Sequence, residues 1–485
     1  MKISFARYIL ILSFALLLSI PIISLLWRNN IVKAEESVLG DFDNIDEAQM
    51  KLLIAKPAVV QVTNIISGDV VLQSSAAAEY NLPALAGRTY KFVLGFSGSG
   101  FFINADGYLI TNGHVAKPDD DSITMYAFAQ LSKTIIKDIF RISYDAIGYS
   151  VTDSELDYLY QEHLNKTYNG DTWALTKAFI ADYDAGRFKF NNIQKNNYIQ
   201  TGVISGSEKI VKEYGKAATV VDSPYDGDFN SKDLALLKIE GSNFPIVEIG
   251  SFNNVQIGTE VYAIGYPGIV ESATGIFTDV GSELEPSITK GIISAKKKLI
   301  DGTEAFQTDA GITHGNSGGP VINKEGKVIG VATWTFGDNP GGESFNFLIS
   351  IDQVKNLLSK NNISPSSSVT TDKWKEALTA YSNKCYNTAK EKLTTVKNLY
   401  PDNVDVDDLI TKSQAAIERG EDMCQIQTGI GVITIGVVIC CAVVIIAVIV
   451  IIVLILIARR KKTAITQVVA NTKESQPKAK IDKQS

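Results

Sequence analysis

Short apolar runs of strand length recur between residues 57 and 350, and Gly, Asn and Pro turns separate them. Leu234–Ile239 and Val328–Thr335 are two such runs. An Asp106-Gly107 pair between two further runs predicts a β-hairpin, because Asp-Gly suits tight hairpin turns. Many short strands joined in this way predict a β-barrel or sandwich, so we expect a mainly β fold.

The periodicity changes between about 127 and 200. Ser154–Tyr168 and Asp171–Tyr183 carry apolar residues at helical spacing, and Ser154 and Asp171 are the predicted N-caps. We therefore expect a helical insertion within a β-domain that extends from about 45 to 360.

A Ser/Pro-containing linker is predicted at 361–369, and helical periodicity returns over 370–422. Trp374, Ala377 and Leu378 share one face, and together with Tyr386-x-x-Ala389 they resemble a tetratricopeptide-type hairpin. Only about one unit is present, so we expect a small helical module. Cys385 and Cys424 flank the second and third predicted helical stretches of this module. In an oxidising compartment they could pair, but two separate thiols are equally consistent with the sequence.

Two strongly apolar segments lie outside these domains. Tyr8–Trp27 follows Lys2 and Arg7, which predicts a signal peptide or an N-terminal signal anchor within residues 1–34. The run at 427–458 is long enough to span a bilayer and precedes four basic residues, so it predicts a transmembrane helix with a basic cytoplasmic tail at 459–485. We expect a protein embedded in the cell membrane, with its folded domains outside the cytoplasm.

Composition excludes several other functions. The 485 residues carry a net charge of -7, and no basic cluster interleaves with aromatic residues, so we predict no nucleic-acid partner. No CxxC pair, His-rich tract or HExxH pattern is present, which argues against a zinc site. We predict no metal and no cofactor.

The octapeptide from Thr313 to Pro320 places Ser317 in a turn between glycines, where a serine hydroxyl can be exposed beside converging backbone N–H groups. Its Gly-x-Ser-x-Gly spacing also fits the nucleophile elbow of α/β-hydrolases, but that fold needs a histidine after the serine. The chain has three histidines and none follows Ser317: His114, His163 and His314. The elbow is therefore excluded.

The remaining familiar order is His, Asp, Ser. His114 follows a predicted strand and a tight turn. Asp233 is the preferred acid, because it begins the strand Leu234–Ile239 and a strand end can hold a carboxylate rigidly against an imidazole. Three alternatives lie in a Gly/Asp/Asn-rich loop, where we expect more solvated side chains: Asp222, Asp226 and Asp228.

Four ordered motifs together resemble the HtrA/DegP branch of the trypsin-like serine peptidases over about Ala55 to Leu358. They are Gly98-Ser99-Gly100-Phe101-Phe102, Tyr108 through Val115, Asp233 through Ile239, and Gln307 through Pro320. The resemblance implies a trypsin-like fold of two six-stranded β-barrels with the active site between them. It also implies a triad of Ser317, His114 and Asp233, with the backbone N–H groups of Gly315 and Ser317 as the oxyanion hole.

The resemblance further places the floor of the primary specificity pocket at Gly311. No acid stands there, so we expect a small or medium apolar residue rather than Lys or Arg at the cleavage site; nearby Asp309 belongs to a motif that the family carries structurally. The strand ending in Thr333, Trp334 and Thr335 would line the cleft. His314 would lie at the pocket rim, where a solvent-exposed side chain is favoured over a substrate role.

Two features depart from the family pattern. The interval from His114 to Asp233 is longer than usual, and the helical module stands where a PDZ domain would follow. Whether the chain forms a homo-oligomer is left open.

The sequence thus predicts a membrane-tethered serine endopeptidase that hydrolyses peptide bonds of extracytoplasmic proteins, in protein quality control or processing. Its predicted partners are protein or peptide substrates. The alternatives are a catalytically silent trypsin-fold scaffold and a membrane sensor that binds protein partners.

Overall fold

The computed structural model describes residues 45–200, 215–227, 232–266, 286–312, 315–336 and 345–424, with scattered residues between 445 and 460. We label the helices α1 (Glu47–Ala55), α2 (Ser74–Glu79), α3 (Gly113–Ala116), α4 (Asp120–Asp145), α5 (Asp153–Tyr168), α6 (Thr172–Asp184), α7 (Ile351–Lys360), α8 (Val369–Ser382), α9 (Tyr386–Leu399) and α10 (Asp405–Glu418). The strands are β1 (Val59–Leu72), β2 (Thr89–Phe102), β3 (Tyr108–Thr111), β4 (Phe188–Gln200), β5 (Lys216–Asp222), β6 (Ala235–Ile239), β7 (Glu248–Ile249), β8 (Glu260–Gly265), β9 (Ser287–Lys298), β10 (Glu304–Thr308), β11 (Pro320–Asn323), β12 (Lys327–Phe336) and β13 (Phe345–Ser350).

The first barrel closes in the order β1-β2-β3-β6-β5-β4. Along β2, Tyr90, Phe92 and Leu94 are buried while the residues between them are exposed, as expected for a strand with one face on a core. The hairpin from β2 to β3 turns at Gly107, whose φ of 95° suits glycine. The Asp-Gly hairpin prediction is therefore confirmed.

The second barrel uses β11, β8, β9, β10, β13 and β12, and pairing of β11 with β12 closes it. β7 adds to β12 as a parallel edge strand. Buried apolar residues such as Phe306, Val321 and Leu348 fill the interior. Two six-stranded barrels are therefore present, as the resemblance implies.

The prediction of a mainly β chain is wrong, because the structure mixes helices and strands. Four helices, α3 to α6, lie between strands β3 and β4 of the first barrel along the chain. Conversely, residues 188–200, which fall inside the predicted helical insertion, form barrel strand β4. The central part of β4 is rich in Asn, Gln and Lys and mostly exposed, so it lacks the apolar run by which a strand is recognised.

An aromatic core joins α4 and α6 to strand β4. Phe128 is fully buried, and its ring centroid lies 5.8 Å from that of Phe179 and 5.3 Å from that of Phe188. Side-chain oxygens cap the N-termini of α4, α5 and α6, where the first backbone N–H groups have no partner within the helix. Asp171 caps α6 as predicted, whereas Thr152 and not Ser154 caps α5, in a capping box with Glu155.

The C-terminal helices α8, α9 and α10 share their own apolar core, which includes Trp374. The indole Nε1 of Trp374 donates to the carbonyl of Leu53 on α1 at 2.9 Å. Between the module and the barrels, Lys56 Nζ pairs with a carboxylate oxygen of Asp405 at 3.1 Å, and both side chains are buried. Tyr400 extends into the core of the first barrel.

The segment predicted as a linker lies against the first barrel. Asn104 Nδ2 donates to the Ser364 carbonyl, and the backbone N–H of Ala105 donates to Ser366 Oγ, each at 2.9 Å. Beyond it, the structure pairs Cys385 with Cys424 in a disulfide, a question that the sequence left open. The module is thus connected to the barrel at its start and cross-linked at its end.

The predicted membrane segments have separate outcomes. The N-terminal segment at 1–34 lies outside the described residues. Among the residues that the structure describes, no helix is both long enough and apolar enough to cross a bilayer, which contradicts the transmembrane helix predicted at 427–458. A span requires about 20 consecutive apolar residues in one helix, and within 427–458 the structure describes only some of the positions between 445 and 457. The rest of that range, and nearly all of the predicted tail at 459–485, lies outside the described residues.

Candidate active site

His114 lies on the single-turn helix α3 at the end of β3. The helix is held by two amides that are distant in sequence, because Nδ2 of Asn64 and Nδ2 of Asn197 both donate to the Ala116 carbonyl, at 2.8 and 3.0 Å. Only glycine fits at position 113, because an added Cβ would lie 2.1 Å from Cβ of Tyr225. The local backbone around His114 is therefore fixed from several sides.

Asp233 is fully buried and contacts His114 through both carboxylate oxygens. Oδ1 accepts the backbone N–H of His114 at 2.9 Å, and Oδ2 lies 2.7 Å from His114 Nδ1. Oδ2 also accepts the Thr333 hydroxyl at 2.6 Å. Since an ionised carboxylate only accepts, we infer that Nδ1 carries the imidazole proton and that Nε2 is the basic nitrogen.

The pKa of Asp233 reflects two opposed effects. Burial by itself raises the pKa of this carboxyl, but the neighbouring His114 imidazole and the hydrogen bonds from His114 and Thr333 outweigh burial and hold the pKa below its usual value. Asp233 is therefore ionised at neutral pH.

The two alternative acids that the structure describes, Asp222 and Asp226, do not occupy this position. The Asp222 carboxylate accepts a hydrogen bond from Asn361 Nδ2 at 2.8 Å and forms an ion pair with Lys360 at 2.8 Å. It therefore contacts the C-terminal end of α7 rather than His114. Asp226 is exposed, and Asp228 lies outside the described residues. Of the four candidates, the structure brings Asp233 to His114.

Ser317 lies in the turn before β11, at the junction of the two barrels. Its carbonyl accepts the backbone N–H of Ser99 on β2 at 2.7 Å, and its hydroxyl donates to the Thr333 carbonyl on β12 at 3.0 Å. The next residue, Gly318, has φ of 89°, and an added Cβ there would lie 2.2 Å from the Ser99 carbonyl oxygen. The serine is thus fixed where β2 and β12 meet.

His114 and Ser317 line one cavity of about 300 Å³. Gly315 also lines it, with φ of 96°, and its carbonyl accepts the buried Ser99 hydroxyl at 2.7 Å. Among the described residues, neither the N–H of Gly315 nor that of Ser317 donates to a protein acceptor. A turn with two such donors beside a serine can accommodate a developing negative charge.

The residues assigned to the specificity pocket have diverse contacts. Thr333 is buried against Asp233, a role that the sequence did not indicate. The Gly311 carbonyl accepts the Thr289 hydroxyl at 2.7 Å, and the Thr335 hydroxyl donates to the Asn346 side chain at 2.9 Å. The Trp334 ring stacks on Phe347, with centroids 5.7 Å apart. His314 lies outside the described residues, and the pocket assignment stays a prediction.

Ser99 is the main site residue that sequence inspection missed. Its hydroxyl donates to the Gly315 carbonyl and accepts the backbone N–H of Tyr266 at 2.9 Å, so it connects three segments behind the serine turn. The only available indication was its place in the Gly98-Ser99-Gly100 motif, because its partners are far away in sequence.

Comparison with known proteins identifies the domain. A family model described as "Trypsin-like peptidase domain" matches residues 168–331, a range that contains Asp233 and Ser317 but not His114. The chain is 32% identical over 177 residues to the "Probable periplasmic serine endoprotease DegP-like" of Pseudomonas putida (strain GB-1), covering 35% of this chain and 34% of that protein. The matched region is similar to the peptidase domain of HtrA-type, trypsin-like proteases. The resemblance drawn from its motifs is confirmed.

The chain also matches a second curated protein and a solved structure. HhoA of Synechocystis sp., whose name describes it as a serine protease, is 36% identical over 157 residues, covering 32% of this chain and 36% of that protein. The matched region thus spans about a third of the length of either curated relative. A solved structure titled "HtrA-type protease AlgW with decapeptide" aligns at 19% identity with a TM-score of 0.34, covering 66% of this chain and 68% of that one.

Proposed function

We propose that this chain is a serine endopeptidase, with Ser317 as nucleophile, His114 as general base and Asp233 as the acid that orients it. One observation carries the proposal: a fully buried, ionised Asp233 holds Nδ1 of a histidine that is 25% exposed and shares a cavity with Ser317. Burying a carboxylate is costly unless its partners compensate, so a merely structural histidine would rarely be held in this way.

The geometry supports the following steps. Ser317 Oγ attacks the carbonyl carbon of a peptide bond while His114 Nε2 takes the hydroxyl proton, and the imidazolium then gives that proton to the departing amine. Water hydrolyses the acyl-enzyme by the same path in reverse. Because the Ser317 hydroxyl donates to the Thr333 carbonyl in the structure, it must turn toward Nε2 for the reaction.

The N–H groups of Gly315 and Ser317 are the proposed oxyanion donors. Their placement depends on Ser99, which holds the Gly315 carbonyl. Loss of one oxyanion donor typically raises the barrier by about 2.7–4 kcal/mol, so the orientation of this turn is expected to matter as much as the triad itself.

We place the reaction outside the cytoplasm, on extracytoplasmic polypeptides in quality control or processing. The Cys385–Cys424 disulfide supports this, because disulfides persist in oxidising compartments, and the DegP-like relatives are named as periplasmic. For the cleavage site we keep an apolar preference. Asp309 is the acid nearest Gly311 in sequence. Its Oδ1 accepts the backbone N–H of Ile292 at 2.6 Å, so this carboxylate stabilises the main chain.

The decisive experiment is labelling of the full chain with a fluorophosphonate probe, together with hydrolysis of an unfolded protein substrate. Wild type should label. Ser317→Ala should not label, and His114→Ala should lose activity on the order of 10⁶-fold. Matched controls are Ser75→Ala, on exposed α2, and His163→Ala, on α5; both should behave as wild type. Absence of labelling in the folded wild type would favour the silent scaffold instead.

A further inference from the structure

One wall of the cavity that holds His114 and Ser317 combines a strand of the first barrel with a residue from outside the two barrels. Beside His114 and Ser317, it is lined by residues 94–97 of β2 and by Tyr126 of α4, the first insertion helix. The residues predicted for the primary pocket, Gly311 and Thr335, are not among its lining residues. The cavity therefore offers a surface separate from that pocket, on the side of the insertion.

Two aromatic rings form this wall. The Phe96 and Tyr126 ring centroids lie 5.5 Å apart at an interplanar angle of 83°, an edge-to-face pair that keeps both rings in place. Tyr126 nevertheless remains 49% exposed, and Phe96 is half-buried. Rings that are ordered and still exposed at a cavity can bury an incoming apolar group with little loss of side-chain entropy.

The wall is mounted on rigid structure. The Gln130 side chain, one turn beyond Tyr126, accepts the backbone N–H of Val93 and donates to its carbonyl, both at 3.2 Å. Between them along α4, Phe128 is fully buried in the aromatic core. The N-terminus of the helix is capped by Asp119. A site on a helix held at this many points is positioned more firmly than one on a loop.

The lining also limits the chemistry of a ligand. Apart from His114, its described residues include no ionisable side chain other than the Tyr126 phenol, and they carry no fixed charge. A charged side chain entering here would lose solvation without gaining a partner, whereas an apolar side chain would bury its surface against Leu94, Phe96 and Tyr126.

We propose that Phe96 and Tyr126 form a second substrate subsite, which binds a large apolar side chain of the Leu, Met or Phe class at a position other than the one whose carbonyl is attacked. This inference rests on the proposed peptidase function and adds a specificity determinant supplied by the helical insertion.

The test uses the full chain and a peptide library randomised on both sides of the scissile bond, with kcat/KM measured for matched peptides. Wild type should prefer Leu, Met or Phe over Ala or Asp at one position besides the primary one. Tyr126→Ala should reduce that preference by at least about ten-fold and leave the primary preference unchanged. Tyr126→Phe should keep the preference, because the ring and not the hydroxyl makes the subsite.

The matched control is Tyr158→Ala, which removes an exposed tyrosine from α5, away from the cavity, and should change nothing. Circular dichroism shows that each variant is folded, and the preference is taken as a ratio of kcat/KM values within one variant, so it does not depend on the basal rate. If Tyr126→Ala labels normally and its cleavage profile matches wild type, the subsite is wrong while the peptidase function stands. If wild type itself does not label, the peptidase function fails first.

Discussion

Two helical regions flank the barrels, and different kinds of contact attach them to the barrels. The insertion, α4 to α6, shares an aromatic core with β2 and β4 and contributes Tyr126 to the catalytic cavity. The C-terminal module, α8 to α10, has its own apolar core and joins the protease domain through the buried pair of Lys56 and Asp405 and through Tyr400. None of its described residues lines the catalytic cavity.

The difference suggests how each region affects the site. Damage to the core of the insertion moves strand β2, which carries Phe96 and holds the serine turn through Ser99. The module's own apolar core around Trp374 includes no described residue of β2, so damage to that core should not displace the strand. We therefore expect insertion variants to change both stability and cleavage, and module variants to change stability alone.

The largest effects should come from the two cores. Phe128→Ala and Trp374→Ala each remove a fully buried aromatic side chain and should lower the free energy of unfolding by about 3–5 kcal/mol. Urea unfolding measures this. At a temperature where both variants are folded by circular dichroism, only Phe128→Ala should slow fluorophosphonate labelling. Equal labelling rates would contradict the distinction between the two regions.

The buried ion pair offers the next test. Lys56→Met leaves the Asp405 carboxylate buried without its cation and should cost about 3–5 kcal/mol in unfolding free energy, because an uncompensated buried charge is expensive. The double variant Lys56→Met/Asp405→Leu should recover most of that loss, since both charges are then gone. Labelling of the folded fraction should match wild type throughout, and a slower rate would show that the module does influence the site.

The disulfide should contribute somewhat less. Replacing Cys385 and Cys424 together by serine removes a cross-link between positions 39 residues apart and should lower the unfolding free energy by about 2–4 kcal/mol. A reductant should destabilise wild type and leave the double variant unchanged. Destabilisation of the double variant by the reductant would mean that another thiol or disulfide is involved.

The smallest expected effects concern the helix caps, which differ in chemistry between the two regions. Asp119 caps α4 and Ser368 caps α8, so Asp119→Ala and Ser368→Ala should each cost about 1 kcal/mol at neutral pH. Partial burial raises the pKa of Asp119, but hydrogen bonds from the Ser122 N–H and hydroxyl outweigh it and lower the pKa below its usual 3.8.

The sign of the pH dependence follows from that shift. A carboxyl whose folded pKa is depressed contributes fully above its unfolded pKa and loses its contribution as the pH falls through the folded value. The stability difference between wild type and Asp119→Ala should thus shrink below about pH 4, whereas the Ser368→Ala difference should persist. Denaturant titrations at pH 7 and pH 3 would measure both stability differences. An equal pH dependence of the two differences would refute the assignment of Asp119 as an ionised helix cap.

Much of the site was predictable because its elements are local. The hairpin at Gly107 is indicated by an Asp-Gly turn, and the cap Asp171 directly precedes its helix in sequence. The order of His114, Asp233 and Ser317 was supported by the absence of any histidine after Ser317. Strand β4 was missed because its polar surface residues carry no apolar pattern. The predicted transmembrane helix rested on hydropathy and on the basic residues that follow the apolar run, and the described helices do not support it.

Sequence by itself therefore determined which serine, histidine and aspartate to consider, since residue type, glycine spacing and chain order are properties of the chain. Only the tertiary structure decided that Asp233 rather than Asp222 meets His114, that Thr333 completes the carboxylate's hydrogen bonds, and that Ser99 holds the Gly315 carbonyl. The partners in these contacts are about 100 or more residues apart, so barrel closure and not local pattern brings them together. Tyr126 reaches the cavity for the same reason, because the packing of α4 on β2 places it there.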